Sequence, residues 1–353
     1  MKMKKIIIGF IFLSLSLFLI TGCNNKDIEK EIIEEEKDNE IVEEELEETE
    51  EIVKEGIPSP LSGKYALENK VNRRPVVIMF DNHPNARWQA GLSQAEIVYE
   101  FMVEAPYTRY MGVFLINEPK SIGPVRSSRP YFVTALLEYD PIYVRVGGSP
   151  QAKQDIKNLK IADIDGLSSS NKVLWKNREV NKKPPHNTYT SMEVIRKTQE
   201  ERGYKLTGDY KGFKFNEEDM ELEGFFANQV IINYYKNNKT LYTYDSEEKL
   251  YFREKDGKPH IDEYDNTPII AKNIIIQEAK TRVIDNEGRL SIDLIGEGKG
   301  KYITNGKGID ISWSKKARNT KTYYYDNKGK EIILNPGTTW IQVVNINPNI
   351  EIE

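Results

Sequence analysis

The chain has 353 residues, a single Cys, three His and a formal net charge of −5. One thiol excludes a disulfide-stapled framework, and a chain of this size buries enough surface to be stable without one. The charge is uneven: residues 26–55 hold sixteen acids against four lysines, leaving +4 beyond residue 55, too little basic surplus for a nucleic-acid binder.

Met1-Lys2-Met3-Lys4-Lys5 is a basic start, Ile6 to Ile20 an uncharged and mainly apolar run, and Ile20-Thr21-Gly22-Cys23 closes it. That order is the layout of a secretory signal peptide. The run is short for a permanent span of a roughly 30 Å hydrocarbon core. The tetrad resembles the lipobox of bacterial lipoproteins, which implies a signal peptide over 1–22. Cys23 then carries the lipid, and the chain sits on the outer face of the cell membrane. Lys26–Glu55 is charge-dense and free of aromatic residues, so it cannot bury enough apolar surface to order as a globule. We read 23–63 as the lipidated Cys and an acidic tether that reaches about 30 Å by the square-root rule and further when self-repelling. Ile28, Ile32, Ile33, Val42 and Leu46 leave a broken apolar stripe, which keeps a transient helix as the alternative. Gly56 to Gly63 ends the tether with turn-formers.

Residues 64–210 read as an α/β domain with a mixed sheet and helices. Arg74 to Asn82 is a buried strand with Asp81 at its carboxyl end, where open α/β sheets place their ligand crevices. Ile97–Glu104 and Thr108–Asn117 form a hairpin, with Glu100 and Glu104 on one face and Arg109 able to face them. Ser127 or Ser128 is expected to cap a helix from Tyr131 to Tyr139, with Pro130 in its first turn. Pro141–Val146 is a strand running into Gly147-Gly148-Ser149-Pro150 and a helix to about Leu159, a shape whose backbone N–H groups suit an anion. Ser191 opens a further helix to about Arg202.

Residues 211–353 read as a β-rich domain, a barrel or sandwich. Short strands begin at Val230, Leu241, Lys249, Asn273, Ser291, Thr322 and Trp340. Asn237-Asn238, Asp256-Gly257, Asn286 to Gly288, Asn305-Gly306 and Asn327 to Gly329 supply the turns.

No zinc, haem, nucleotide-loop or serine-elbow signature is present, so we expect neither metal nor cofactor. Asp81, Glu100 and Glu104 are the candidate catalytic carboxylates, as an acid/base pair would require. Asn82, Arg109, Arg126, Arg129, Gly147, Gly148, Ser149 and His186 are the candidate ligand-binding residues, the arginines and the glycine turn being donors for a phosphate or carboxylate. Each also has a structural reading, in which the arginines pair with neighbouring acids and the loop His is a bystander. Tyr323, Tyr324, Tyr325, Trp313 and Trp340 could stack on sugar rings or fill the core.

Arg74-Pro-Val-Val-Ile, Asp81-Asn82, Ala95-Glu96-Ile-Val-Tyr99-Glu100, Thr108-Arg109-Tyr110, Ile122-Gly-Pro-Val-Arg126-Ser and Tyr143 to Pro150 resemble the YerB-like lipoproteins. Asn335-Pro-Gly-Thr-Thr-Trp340 resembles that family's second domain. The turn Glu104-Ala105-Pro106 departs from the pattern, which has a glycine-rich turn there. The resemblance implies a Gram-positive lipoprotein with an α/β first domain and a smaller β-rich second one, and it brings no activity or catalytic role with it. Two functions remain open. One is a membrane-anchored module that binds a cell-wall polymer or another envelope protein. The other is a hydrolase of an envelope polymer with Glu100 or Glu104 as acid/base.

Overall fold

The computed structural model describes residues 55–353, so the expected signal peptide, Cys23 and the acidic stretch before Glu55 lie outside the described residues. Val76–Asp81 (β1) carries five apolar residues and then a carboxylate, and all six are buried. Such a run belongs in a strand covered on both faces. Ile97–Met102 (β2) and Thr108–Phe114 (β3) form the expected hairpin, and β3 also pairs antiparallel with β1. Pro130–Leu136 (α1) begins with Pro130 in its first turn, but its N-cap residue is Arg129 and no side chain caps it. Ser127 and Ser128 are occupied otherwise: Ser127 Oγ accepts from Arg109 and Arg129, and Ser128 Oγ accepts from the Tyr143 hydroxyl. Ile142–Arg145 (β4) and Ala162–Asp165 (β5) extend the sheet in parallel beyond β1. Pro150–Asn158 (α2) crosses between them, capped by Ser149, and Met192–Glu201 (α3) is capped by Ser191 as expected.

The second half builds two sheets. Gln229–Tyr235 (β6), Asn238–Asp245 (β7) and Leu250–Lys255 (β8) pair antiparallel in a six-stranded sheet. Asn273–Glu278 (β9), Gly296–Thr304 (β10), Lys307–Lys315 (β11), Tyr323–Tyr325 (β12) and Thr339–Val344 (β13) instead join the first half's strands. Asn349–Ile352 (β14) returns to pair with β6. The result is one eleven-stranded mixed sheet in which β11, β10, β9, β13, β2, β3, β1, β4 and β5 follow in that order. The family-like boundary near residue 210 falls in an irregular stretch between α3 and β6, yet both halves belong to one compact unit. Their seam is β13, parallel to β9 on one side and to β2 on the other.

Pairing register sorts the side chains into layers. Glu100 lies opposite Tyr110 and Gln342, and this face meets the six-stranded sheet, where Tyr242 reaches Trp340. Phe101 lies opposite Arg109, on the face that meets α1 through Phe132 at 5.0 Å between ring centroids. Three layers follow: small sheet, long sheet, helices. Trp313, Trp340 and Tyr324 are core residues, whereas Tyr323 and Tyr325, on the other face of β12, stay half-buried and stack on one another. Among the described residues no helix is long and apolar enough to cross a membrane.

Candidate anion site at the end of the first strand

Asp81 ends β1 and lies directly opposite Arg109, the second residue of β3. Only 3% of it is exposed. Its Oδ1 accepts the His83 backbone N–H at 3.0 Å. Its Oδ2 sits 2.8 Å from His186 Nδ1 and 3.3 Å from Arg126 Nε. Burial alone would raise this carboxyl, but the Arg109 and Arg126 charges and the two hydrogen bonds hold it below its ordinary value. Asp81 is therefore an ionised acceptor that orients His186 and Arg126.

His83 continues the cluster. Its ring stacks on His186 at 4.5 Å and lies 4.6 Å from Tyr107, and its Nδ1 accepts the Asn85 backbone N–H at 3.1 Å. Burial and the neighbouring His186 and Arg126 keep its pKa below the usual imidazole value. Arg109 is held by the Ser127 carbonyl at 2.8 Å, and burial, with the Arg129 charge next to it, pulls its pKa down to about 10. Arg129 donates to Glu104 at 2.6 Å, and that contact outweighs burial to keep the Glu104 carboxyl low. Three arginines thus face two carboxylates. Lys176 adds another cation, its ammonium pushed down by burial and by the Arg126 charge. A cleft of about 550 Å³ opens beside Lys176, lined also by Lys120, Trp175, Arg178 and Tyr189 and by the carboxylates Glu179 and Glu263.

Other expected site residues are used differently. Arg109 faces Asp81, not Glu100, because alternate residues of β2 and β3 point to opposite faces. Glu100 is fully buried between the two sheets. It accepts from Arg253 at 2.6 Å and from Thr108 at 2.6 Å, with Lys255 at 3.5 Å. Arg253 in turn lies 4.5 Å from the Trp340 ring and donates to His260 Nδ1 at 2.5 Å. Asn82 donates to Thr108 Oγ1 at 2.7 Å, which ties the strand-end cluster to this sealed network. The glycine turn already holds an anion of its own chain, since Gly147 and Leu167 donate backbone N–H groups to Asp165 Oδ1 at 2.7 and 3.0 Å. Ser149 Oγ caps α2 by accepting from Ala152. Among the described residues, no group of three or more His, Cys, Asp or Glu converges in a way that could hold a metal.

Sequence reasoning missed Lys176 and the Arg253–Lys255–His260 group. A signal for the latter existed: in β8, Arg253 and Lys255 fall in phase with buried Tyr251, so two cations point at the core and call for a buried anion.

An α/β mixed sheet backed by a second β sheet, with a cation-rich cluster at a strand end, defines an architecture of the α/β-plus-β class. The chain belongs to the YerB-like family. The family described as "Protein of unknown function (DUF3048) N-terminal domain" matches residues 61–205, and its C-terminal domain matches 230–341. The chain is 35% identical over 291 residues to "Putative lipoprotein YerB" of Bacillus subtilis (strain 168), covering 82% of this chain and 86% of that one. The crystal structure of YerB protein from Bacillus subtilis superposes with a TM-score of 0.77 at 34% identity, covering 84% of this chain and 99% of the other.

Proposed function

We propose that the protein is a lipid-anchored binding module on the outer face of the cell membrane. Cys23 carries the lipid, the acidic stretch to residue 63 spaces the body from the bilayer, and the Asp81–Arg126–His186 edge takes an anionic envelope polymer. The observation that carries this reading is Arg126. Its Nε is buried without a hydrogen-bond partner, its side chain is 29% exposed, and its two amino groups make no hydrogen bond to other described residues. A guanidinium held in place by a carboxylate but left with free donors is prepared for an anion. The similarity to a protein named as a lipoprotein supports the anchor. Glu100 has no path to solvent and Glu104 is engaged by Arg129, which favours binding over hydrolysis by these two groups.

The test is retention of the full chain, in detergent, on native wall sacculi, with released fragments assayed alongside. We expect retention without release, weakened about tenfold or more in Arg126→Ala, the scale of one charge-assisted contact of about 1.5–3 kcal/mol. Release of fragments that disappears in Glu104→Gln would replace this reading with hydrolysis.

A further inference from the structure

The two stacked histidines carry opposite hydrogen-bonding characters, and their contacts fix which is which. Asp81 is ionised and can only accept, so the His186 nitrogen beside it, Nδ1, bears the proton. In the neutral ring the other nitrogen, Nε2, is then a bare acceptor on the edge away from the carboxylate. His83 is the reverse. Its Nδ1 accepts the Asn85 N–H, so its proton sits on Nε2, which is a donor. Neither Nε2 has a hydrogen-bond partner among the described residues. The site therefore offers a cation with free N–H groups at Arg126, a donor at His83, the Nε2 of the Nδ1–H tautomer at His186 as an acceptor, and a further cation at Lys176, close enough for Arg126 to perturb it.

A simple anion leaves part of this set unused. Sulfate or a phosphodiester without hydroxyls accepts from Arg126 and His83 but has nothing to donate to His186 Nε2. We infer that the site recognises a phosphate ester of a polyol, the phosphate taken by Arg126 with the His83 Nε2–H and a neighbouring hydroxyl donating to His186 Nε2. This rests on the anion-binding reading above and narrows it. Separate donors at Arg126 and His83 suit the several oxygens of a tetrahedral phosphate better than the two of a planar carboxylate. The cleft beside Lys176 is lined by Lys120, Arg178 and Trp175 together with Glu179 and Glu263, the latter paired with Lys182, so it leaves room beside the site for the polyol part of a ligand.

Titration calorimetry of the full chain in detergent with sn-glycerol 3-phosphate, methyl phosphate and sulfate tests this. We expect glycerol phosphate to bind about fivefold more tightly than methyl phosphate, the worth of one net hydrogen bond of about 1 kcal/mol. His186→Ala should bring the ratio of the two affinities to about one, whatever it does to the affinity for methyl phosphate itself, and Arg126→Gln should weaken both esters together and keep their ratio. Equal affinity for the two esters overturns the hydroxyl recognition and leaves the anion site standing. No binding of any of the three probes overturns both. A readout that needs no variant is the nitrogen-15 spectrum of the rings: Nδ1–H for His186 and Nε2–H for His83 support the inference, and the opposite tautomer at His186 overturns it.

Discussion

Glu100 shows how much one side chain does between the layers. It is the carboxylate that balances Arg253 and Lys255, all three without solvent contact. Burial works against the charged form of Glu100, but the Lys255 and Arg253 charges win and its carboxyl stays low. For Lys255 burial wins over Glu100, helped by Arg253, and its pKa falls to about 8. The two shifts are consistent: two cations share one anion, so Glu100 is fully paid and Lys255 is not. Glu100→Gln leaves those cations uncompensated, and a loss of about 3–5 kcal/mol of stability is expected in urea denaturation. A loss below about 1 kcal/mol would show that the network is dispensable. His260 adds a pH dependence. Its Nδ1 accepts from Arg253 and its Nε2 donates to Gln89, and burial followed by the Arg253 charge sets its pKa well below the imidazole value. The unfolded chain takes up this proton near pH 6.5 and the folded one refuses it. Stability is therefore full above about pH 6.5 and falls on acidification below it, by up to about 1.4 kcal/mol per pH unit. Urea midpoints of the parent and His260→Gln across that range check this; parallel curves would assign the acid lability elsewhere.

At the scale of elements, the hairpin of β10 and β11 turns on Asn305 and Gly306, both with positive φ, 48° and 71°. A two-residue turn of this kind matches the twist of its strands and favours Asn-Gly. A Cβ on Gly306 would also stand 2.8 Å from the Tyr244 ring. Gly306→Ala is expected to cost about 1–2 kcal/mol, read from the shift in denaturation midpoint. The turn was legible in the sequence, but its two nine-residue strands were not. Gly296-Glu-Gly-Lys-Gly-Lys has no apolar alternation, and what makes it a strand is pairing with β9 and β11. β1, β2 and β3 were legible because they are apolar runs whose side chains are covered on both faces. The site was legible residue by residue and not as an assembly. Asp81, Arg126 and His186 each looked like candidates, but Asp81 and His186 are 105 positions apart, and only the fold brings that loop to the strand end. Glu100 looked like a catalytic acid because its partner strand, β8, lies more than 150 residues away.

For the whole molecule, the seam decides cooperativity. β13 is buried at all six positions and is hydrogen-bonded to β9 on one edge and β2 on the other. Separating the halves near residue 210 would leave β2 with a long apolar open edge, the kind that aggregates. We expect residues 64–210 expressed alone to be insoluble or unfolded, and the intact chain to melt in one calorimetric transition. Two resolved transitions, or a soluble folded fragment, would show that the halves are independent.

The same strand sets the timing of assembly. A chain synthesised from its amino end exposes β2 early, but the strand that fills the gap beside it begins at Thr339, more than 230 residues after β2 ends at Met102. Contacts this distant in sequence are slow to form. Until β13 is made, the nascent body keeps an open slot at the centre of its long sheet, and the two halves close into one cooperative unit only when that strand slides between β2 and β9.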